Sequence, residues 1–134
     1  MTTADDINRM LATHWPSCPF TCLELAERHA IATVEVRDED LRPGGYVCGP
    51  ALFAAADAAL WFLASAGRET PQAMALTSDL AIRYLSPAVG QRIIARADLN
   101  KSGGRTMIGS VSVWMDDSES EPCAIAQGAY ILPA

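Results

Sequence analysis

A single carboxylate lies within an otherwise apolar stretch of this sequence. Residues Ala51–Ala66 are mostly alanine and leucine, and Asp57 is the only charged residue among them. Alanine and leucine favour helix, and a helix that is apolar on nearly all sides is usually buried. A buried carboxylate needs hydrogen-bond partners, and carboxylates in such surroundings often act as bases or nucleophiles. Asp57 is therefore either a catalytic carboxylate or a structural acceptor of hydrogen bonds at a helix interface.

The cysteine and histidine residues do not form a recognisable metal site. The cysteines make no CxxC pair, and His14 and His29 are not spaced with them as zinc ligands would be. Cys48 lies three residues before the apolar stretch, and a thiol at a helix N-terminus can become reactive. Catalysis by a thiolate would also require a basic partner, and neither histidine is tied to this segment. We expect Cys48 to line a pocket, no metal to be bound, and inert thiols at Cys18, Cys22 and Cys123.

The composition indicates one globular domain and argues against several kinds of partner. The chain has 134 residues, of which 50% are hydrophobic and 19% charged, enough for a domain with a core. Its formal net charge of −6 argues against nucleic-acid binding, which depends on a surplus of lysine and arginine. The polar, acidic N-terminus is unlike a secretory signal, and Ala51–Ala66 is too short for a comfortable membrane span. We expect a cytoplasmic protein with a single domain over residues 1–134.

The sequence predicts two helices and six strands. A short helix over Thr3–Leu11 is indicated by a capping threonine and by acidic residues in its first turn. A loop over Asp38–Val47 is indicated by consecutive proline and glycine residues, and the helix Ala51–Ala66 follows it. Apolar alternation and β-branched composition predict the strands Phe20–Glu27, Ala30–Arg37, Met74–Leu85, Gln91–Leu99, Thr106–Met115 and Cys123–Leu132.

This order of elements predicts an α+β fold. The four successive strands that follow the helix are expected to be antiparallel neighbours, because a parallel pair requires a longer crossover. One sheet of five to six strands would bury one face against the helix Ala51–Ala66, with the short N-terminal helix beside it. A helix that is apolar all round would still expose apolar surface on its far side. We expect a second copy of the chain to cover that surface.

Several motifs occur in an order that resembles a known family. The segment Cys48–Asp57 has the spacing of a His-Gly-Gly motif, six small or apolar residues and an aspartate, with Cys-Gly-Pro in place of His-Gly-Gly. Ala75–Gly90 is similar to a long strand that closes in a Pro-Ala-x-x-Gly turn. Lys101–Arg105 and Ala126–Tyr130 match a Gly-Arg and an Ala-x-Gly-x-Tyr motif. Over residues 30 to 132 the chain thus resembles the hotdog-fold acyl-CoA thioesterases of the phenylacetate-pathway (PaaI) type, whose sheet is wrapped around one helix.

The resemblance implies hydrolysis of an acyl-CoA thioester. It assigns Asp57 as nucleophile or general base, and the choice between these roles stays open. It assigns the Gly49 N–H as the oxyanion donor, which suits the free N–H groups of a helix N-terminus and the absence of a side chain. Gly49 and Asp57 would be about 12 Å apart along one helix, too far to reach the same carbonyl group. The site would therefore combine Gly49 of one chain with Asp57 of another in a homodimer, with further pairing into a tetramer left open.

The same resemblance suggests further site residues, each with an ordinary structural alternative. Thr77 would orient the water or the carboxylate, or be an ordinary strand residue. Trp61, one turn past Asp57, would line the acyl pocket or belong to the core. Arg105, with Lys101 nearby, would bind the coenzyme A phosphates or lie in a solvated turn. Coenzyme A enters only as part of the substrate, with no other cofactor, and the remaining predicted substrate-binding residues are Cys48, Pro50 and Arg42.

Two departures from the family pattern keep other functions open. Cys48 replaces the usual histidine, and Arg42 lies about where many members have an asparagine that lines the site. A non-catalytic acyl-CoA-binding or regulatory protein is therefore the first alternative to a thioesterase. The second is a hotdog hydratase or dehydratase, but such enzymes need a histidine with a carboxylate, and no histidine follows His29. The apolar helix favours a small aromatic or medium-chain acyl group, in a pocket that includes Phe53, Leu60 and Trp61.

Overall fold

The computed structural model describes residues 1–134 as an α+β fold with two α-helices and a short 3₁₀ helix. The α-helices are α1, Ala4–His14, and α2, Gly49–Leu63, and the 3₁₀ helix covers Asp38–Asp40. The strands, in chain order, are β1 Thr21–Leu25, β2 His29–Glu35, β3 Leu41–Arg42, β4 Tyr46–Val47, β5 Leu76–Tyr84, β6 Arg92–Gly103, β7 Thr106–Met115 and β8 Ala124–Ile131. All but β3 and β4 belong to one six-stranded antiparallel sheet, which confirms the predicted class.

The strands cross the sheet in the order β1-β2-β6-β7-β8-β5. The prediction that the four strands after the helix are successive neighbours is wrong for β5, which lies at the sheet edge and pairs with β8 instead of β6. The connection over residues 85–91 explains the difference. It must cross three strand spacings, roughly 15 Å, and an extended chain of this length reaches roughly 20 Å. A short connection therefore fixes the antiparallel direction of two strands without making them neighbours.

α1 begins at the predicted capping residue. The Thr3 hydroxyl accepts a hydrogen bond from the Asp6 N–H, and the Asp6 carboxylate accepts one from the Thr3 N–H, which forms a capping box. On the other side of the helix, the Asn8 side chain bonds both the N–H and the C=O of Cys22 in β1, each at 2.9 Å. These two bonds fix α1 against the β1 edge of the sheet.

α2 packs across the inner face of the sheet and contacts all six of its strands. It has 15 residues and ends before the predicted Ala66. Its close approach depends on Gly109 and Gly128, which pair across β7 and β8. A Cβ on Gly109 would lie 2.8 Å, and one on Gly128 2.9 Å, from the side chain of Leu60, so only glycines leave room for this leucine. Neither helix is long and apolar enough to cross a membrane.

One face of α2 is not covered by the sheet. It carries Phe53, which is 38% exposed, and the half-buried Asp57 and Trp61, at spacings of one helical turn. Beside this face lies the edge strand β5, where Leu76 is 70% and Tyr84 49% exposed. Exposed apolar residues on a helix face and an adjoining sheet edge are typical of a surface that contacts another chain.

The segment before α2 is more regular than the predicted loop. β3 and β4 form a hairpin whose turn contains Gly44 and Gly45, both with positive φ. Asp40 is buried before this hairpin, and its carboxylate accepts hydrogen bonds from the backbone N–H and the guanidinium of Arg37 at 2.9–3.2 Å. The Asp40 carbonyl oxygen accepts a hydrogen bond from the Cys48 N–H at 2.8 Å. These contacts hold the chain in place where α2 begins.

Candidate active site

Asp57 accepts two hydrogen bonds on the same carboxylate oxygen. The Thr77 hydroxyl donates to Oδ1 at 2.7 Å, and the Tyr130 hydroxyl lies 2.8 Å from Oδ1. The Tyr130 oxygen is also 3.2 Å from the main-chain carbonyl oxygen of Asp57, so its one proton has a second acceptor within reach. No residue of the chain donates to Oδ2. One oxygen of the carboxylate is therefore fixed, while the other is free to react.

The two hydroxyls come from directly opposed residues on neighbouring strands. Thr77 of β5 and Tyr130 of β8 are partners in the antiparallel register, so both side chains project from the same face of the sheet. The register shifts between Thr77 and Asp79, and irregularities of this kind often redirect side chains beside functional sites. The sheet thus presents a pair of hydroxyls to the helix at Asp57.

Tyr130 is a site residue that the sequence reasoning missed. It is 4% exposed, and burial raises the pKa of its phenol well above the ordinary value. The adjacent Thr77 hydroxyl opposes this rise of the pKa, while the negative charge of Asp57 and the hydrogen bond to it add to the rise. The phenol therefore stays protonated at neutral pH and acts as a hydrogen-bond donor. Its signal in the sequence is alternation along β8, which places a polar hydroxyl inside the core, where it needs a partner.

Asp57 lines a largely apolar cavity of about 690 Å³. Trp61 lines this cavity and packs partly against the core, and its ring centroid is 6.0 Å from that of Trp15. The indole N–H of Trp61 donates to the Gln72 carbonyl oxygen at 3.2 Å, so the ring is held in place. Besides Asp57, Thr77, Tyr130 and Trp61, the cavity is lined by Met10, His14, Trp15, Ala73, Met74, Ala75 and Leu76. His14 reaches the site through the fold, since nothing in its sequence context connects it to Asp57.

The N-terminus of α2 borders a second cavity, of about 810 Å³. The Gly49 N–H donates to no acceptor within the chain, as is usual for the first residue of a helix. The Tyr84 hydroxyl of β5 donates to the Gly49 carbonyl oxygen at 3.0 Å. A Cβ on Gly49 would lie 3.0 Å from that same hydroxyl, so a side chain here would crowd Tyr84. The glycine thus leaves a free N–H donor that a ligand can approach.

Three further predicted residues lie at this end of the helix. Arg42 and Pro50 line the second cavity. Cys48, expected to line a pocket, lines neither cavity; it is the half-buried N-cap residue, and its side chain makes no capping hydrogen bond. Arg42 is exposed and forms no ion pair with a carboxylate of the chain. The structure therefore brings these residues together with Gly49 and adds one unpaired positive charge.

Lys101 and Arg105 lie apart from both cavities. Both side chains are exposed, near the turn that joins β6 and β7. The Arg105 Nε donates to the Leu132 carbonyl oxygen at 2.9 Å, so part of this guanidinium already holds the C-terminal segment. A role of these residues in binding coenzyme A stays a prediction.

Within one chain, Gly49 and Asp57 do not share a cavity. Their positions on α2 are about 12 Å apart along the helix axis, and each lines a different cavity. β5 runs beside both, with Thr77 at the Asp57 end and Tyr84 at the Gly49 end. One chain therefore carries two half-sites, one with a carboxylate and one with a free N–H donor.

The segment that carries both half-sites also matches a protein family. Residues 44–121, more than half of the chain, match the model of the thioesterase superfamily. The chain belongs to the thioesterase superfamily. The matched segment of this chain contains Gly49, Asp57 and Thr77 and ends before Tyr130. No curated protein matches its sequence.

Several solved structures are similar to this thioesterase-superfamily chain over nearly its whole length. A provisionally assigned thioesterase from Silicibacter sp. TM1040 is 26% identical, with a TM-score of 0.84 over 98% of this chain and 92% of that chain. A thioesterase from Haemophilus influenzae is 16% identical, with a TM-score of 0.81 over 99% and 92%. The E. coli PaaI protein of the phenylacetic acid degradation operon is 17% identical, with a TM-score of 0.79 over 97% and 92%. These likenesses show the hotdog fold, and the family match supports thioester hydrolysis as the reaction class.

Proposed function

We propose that this superfamily member is an acyl-CoA thioesterase in which Asp57 supplies the reacting carboxylate. The observation that carries the proposal is the asymmetry of this carboxylate. Two hydroxyls hold Oδ1, while Oδ2 is free beside an apolar cavity. A fixed carboxylate with one free oxygen can act as nucleophile or general base. Membership in the superfamily supports the same reaction class.

Both routes yield the same free acid and thiol. As a nucleophile, Oδ2 of Asp57 attacks the thioester carbonyl carbon, the C–S bond breaks, and the coenzyme A thiolate leaves and takes up a proton. Water then hydrolyses the acyl anhydride. As a general base, Oδ2 instead takes a proton from the water molecule that attacks the same carbon. In either route negative charge develops on the carbonyl oxygen, where the Gly49 N–H would stabilise it.

We propose further that each complete site contains residues of two chains. Asp57 and the Gly49 N–H are too far apart in one chain to act on one carbonyl group. The uncovered face of α2 and the edge strand β5 carry both half-sites together with exposed apolar residues. A second copy that packs on this surface in the opposite direction would place its Gly49 near Asp57 of the first. A homodimer would then hold two sites, and pairing of dimers into tetramers is compatible with them.

The Asp57 cavity supports a small aromatic or medium-chain acyl group. Its lining is dominated by aromatic and aliphatic side chains, including Trp15, Trp61, Met74 and Leu76. An apolar cavity with few polar groups favours an apolar ligand that is oriented by those groups. For the coenzyme A part, we propose phosphate contacts with the exposed Lys101 and Arg105, and contacts near the thioester with Arg42.

A screen for thiol release over aromatic and aliphatic acyl-CoA substrates tests this function. We expect the wild-type protein to hydrolyse at least one of them and Asp57→Asn to hydrolyse none at a comparable rate. Asp117→Asn makes the same chemical change at an exposed turn residue and should retain full activity. An Asp57→Asn variant as fast as the wild type would refute the role of Asp57. Tight acyl-CoA binding without thiol release would instead favour a non-catalytic binding protein.

A further inference from the structure

We propose that Tyr130 is a positioning residue which, together with Thr77, holds Oδ1 of Asp57 and makes Oδ2 the reacting oxygen. The inference rests on the function proposed above and deepens it. It assigns a role to a residue outside the segment 44–121 that matches the family. It also distinguishes the two oxygens of the carboxylate, which the sequence motif around Asp57 does not.

Two hydroxyls, one from Tyr130 and one from Thr77, hold the carboxylate. The Tyr130 oxygen is 2.8 Å from Oδ1 and 3.2 Å from the main-chain carbonyl oxygen of Asp57. A second donor, the Thr77 hydroxyl, reaches the same Oδ1 at 2.7 Å. With two bonds on one oxygen, rotation of the carboxylate about its last torsion would break both. The plane of the carboxylate is therefore set, and Oδ2 keeps a constant direction.

The surroundings of Tyr130 make it a rigid support. Its ring belongs to the hydrophobic core between the sheet and α2, and only 4% of the residue is exposed. On its strand it is paired with Thr77 of β5 on one side and with Met107 of β7 on the other. A buried aromatic residue with two ladder partners cannot swing away, so its hydroxyl is a fixed donor.

These bonds have a chemical consequence for the free oxygen. Hydrogen bonds to a carboxylate favour its ionised form, which is the form that attacks or accepts a proton. An oxygen that accepts two such bonds is a poorer nucleophile than one that accepts none, so reaction is directed to Oδ2. The loss of one donor should lower kcat rather than weaken substrate binding, because Tyr130 contributes orientation through Asp57.

The pH dependence of the reaction rate tests this role of Tyr130. Any other titrating group in the cavity must be identified first, because its ionisation would also change the rate. Apart from Asp57 and Tyr130, the only titratable side chain that lines the cavity is His14, from α1. Thr77, Leu76 and Met74 contribute no titrating group from the β5 side, nor does Trp61 from α2. A His14→Gln variant therefore identifies any part of the profile that belongs to the imidazole.

The test is the pH dependence of kcat and KM for Tyr130→Phe, measured with the best substrate of the acyl-CoA screen. Phenylalanine keeps the buried ring and removes only the hydroxyl. We expect kcat to fall about tenfold, with KM within about twofold of the wild type. The acid limb of kcat/KM should move to higher pH, because the ionised carboxylate has lost a donor. Thr77→Val should shift the same limb in the same direction, and Thr77→Ser, which restores a hydroxyl, should not.

Thr33→Val is the matched structural control. The Thr33 hydroxyl is buried and donates to the Ile93 carbonyl oxygen at 3.1 Å, away from both cavities. This variant should lose stability without moving the pH profile. If Tyr130→Phe and Thr77→Val both keep the wild-type kcat and acid limb while Asp57→Asn is inactive, the inference is overturned and the proposed function stands. If the wild-type protein releases no thiol from any acyl-CoA, both are overturned.

Discussion

At the scale of single residues, the two oxygens of Asp57 are not equivalent. Oδ1 is held by Thr77 and Tyr130, and Oδ2 makes no hydrogen bond within the chain. By contrast, both oxygens of the buried Asp40 carboxylate accept hydrogen bonds from Arg37, so neither is free. A carboxylate that is fixed on one side and free on the other is suited to chemistry rather than to structural support.

Replacement of Asp57 by asparagine should distinguish a catalytic role of this residue from a structural one. Asparagine has nearly the same size and keeps an acceptor for Thr77 and Tyr130, so the melting temperature should stay close to that of the wild type. It cannot attack as an anion or take up a proton, so kcat should fall roughly a thousandfold. Thermal unfolding and thiol release measured on the same preparation check both expectations. A large loss of stability with little loss of activity would show that Asp57 is a structural residue.

The sequence was sufficient to select Asp57 and Thr77 but not Tyr130. A lone charge in an apolar helix is visible in the sequence, and the motif spacing led to Thr77. Tyr130 is 73 residues away from Asp57, and their contact depends on the register of β5 and β8 and on the rotation of α2. His14 was missed for a similar reason, since only the packing of α1 brings it to the cavity.

At the scale of elements, the segment before α2 sets the position of the Gly49 half-site. The Asp40 side chain is anchored to Arg37, and its backbone is anchored to Cys48, immediately before the helix. Burial opposes ionisation of Asp40, but hydrogen bonds and charge from Arg37 outweigh it and hold the pKa of this carboxyl below its ordinary value. A carboxylate whose pKa is lowered on folding stabilises the folded state when it is ionised.

The Asp40→Asn variant should be less stable than the wild type by roughly 1–2 kcal/mol at neutral pH. The greater stability of the wild type relative to Asp40→Asn is fully present above the pKa of an unfolded aspartate, about 3.9. It is lost as the pH falls through the lower folded value, because protonation then removes the charge from the wild-type carboxyl as well. Denaturant unfolding at neutral and acidic pH measures this difference. Asp38→Asn, an exposed change in the same 3₁₀ helix, is the control, and an equal pH dependence in both variants would contradict the account.

Local patterns predicted most elements, because their signals lie within each segment. β7 has the bounds predicted from its alternation, and α1 begins at its predicted threonine cap. The place of β5 in the sheet was not predictable in this way, since partner choice depends on residues distant in sequence. The hairpin β3–β4 was also missed, because two-residue strands leave no periodic pattern.

At the scale of the whole molecule, the proposed mechanism requires a second copy of the chain. That copy would pack on the uncovered face of α2 and the edge of β5. Phe53 lies on this face, 38% exposed, between the positions of Gly49 and Asp57 on the helix. The sequence indicated such a surface, because α2 is apolar on more sides than one sheet can cover. It did not indicate that the sheet edge beside it would be β5.

Phe53→Glu should convert the protein to a monomer of 14.3 kDa and abolish thioesterase activity, because it introduces a charge into the proposed interface. Leu23→Glu, at an exposed leucine on the opposite sheet edge in β1, is the matched control and should leave the dimer and its activity intact. Light scattering coupled to size exclusion gives the mass in each case. An active monomeric Phe53→Glu protein would contradict a site shared between chains.

The most direct test of the shared site is complementation between two inactive chains. Asp57→Asn removes the carboxylate, and Gly49→Val places a side chain against Tyr84 and blocks the N–H donor. Each site of a mixed dimer combines position 49 of one chain with position 57 of the other. One site therefore contains both substituted residues, and the other contains the wild-type Gly49 and Asp57. Co-expression of the two variants in equal amounts should therefore restore about a quarter of the wild-type rate per chain, since about half of the dimers are mixed. If purified mixed dimers are as inactive as the two variants alone, Gly49 and Asp57 do not act together across the dimer.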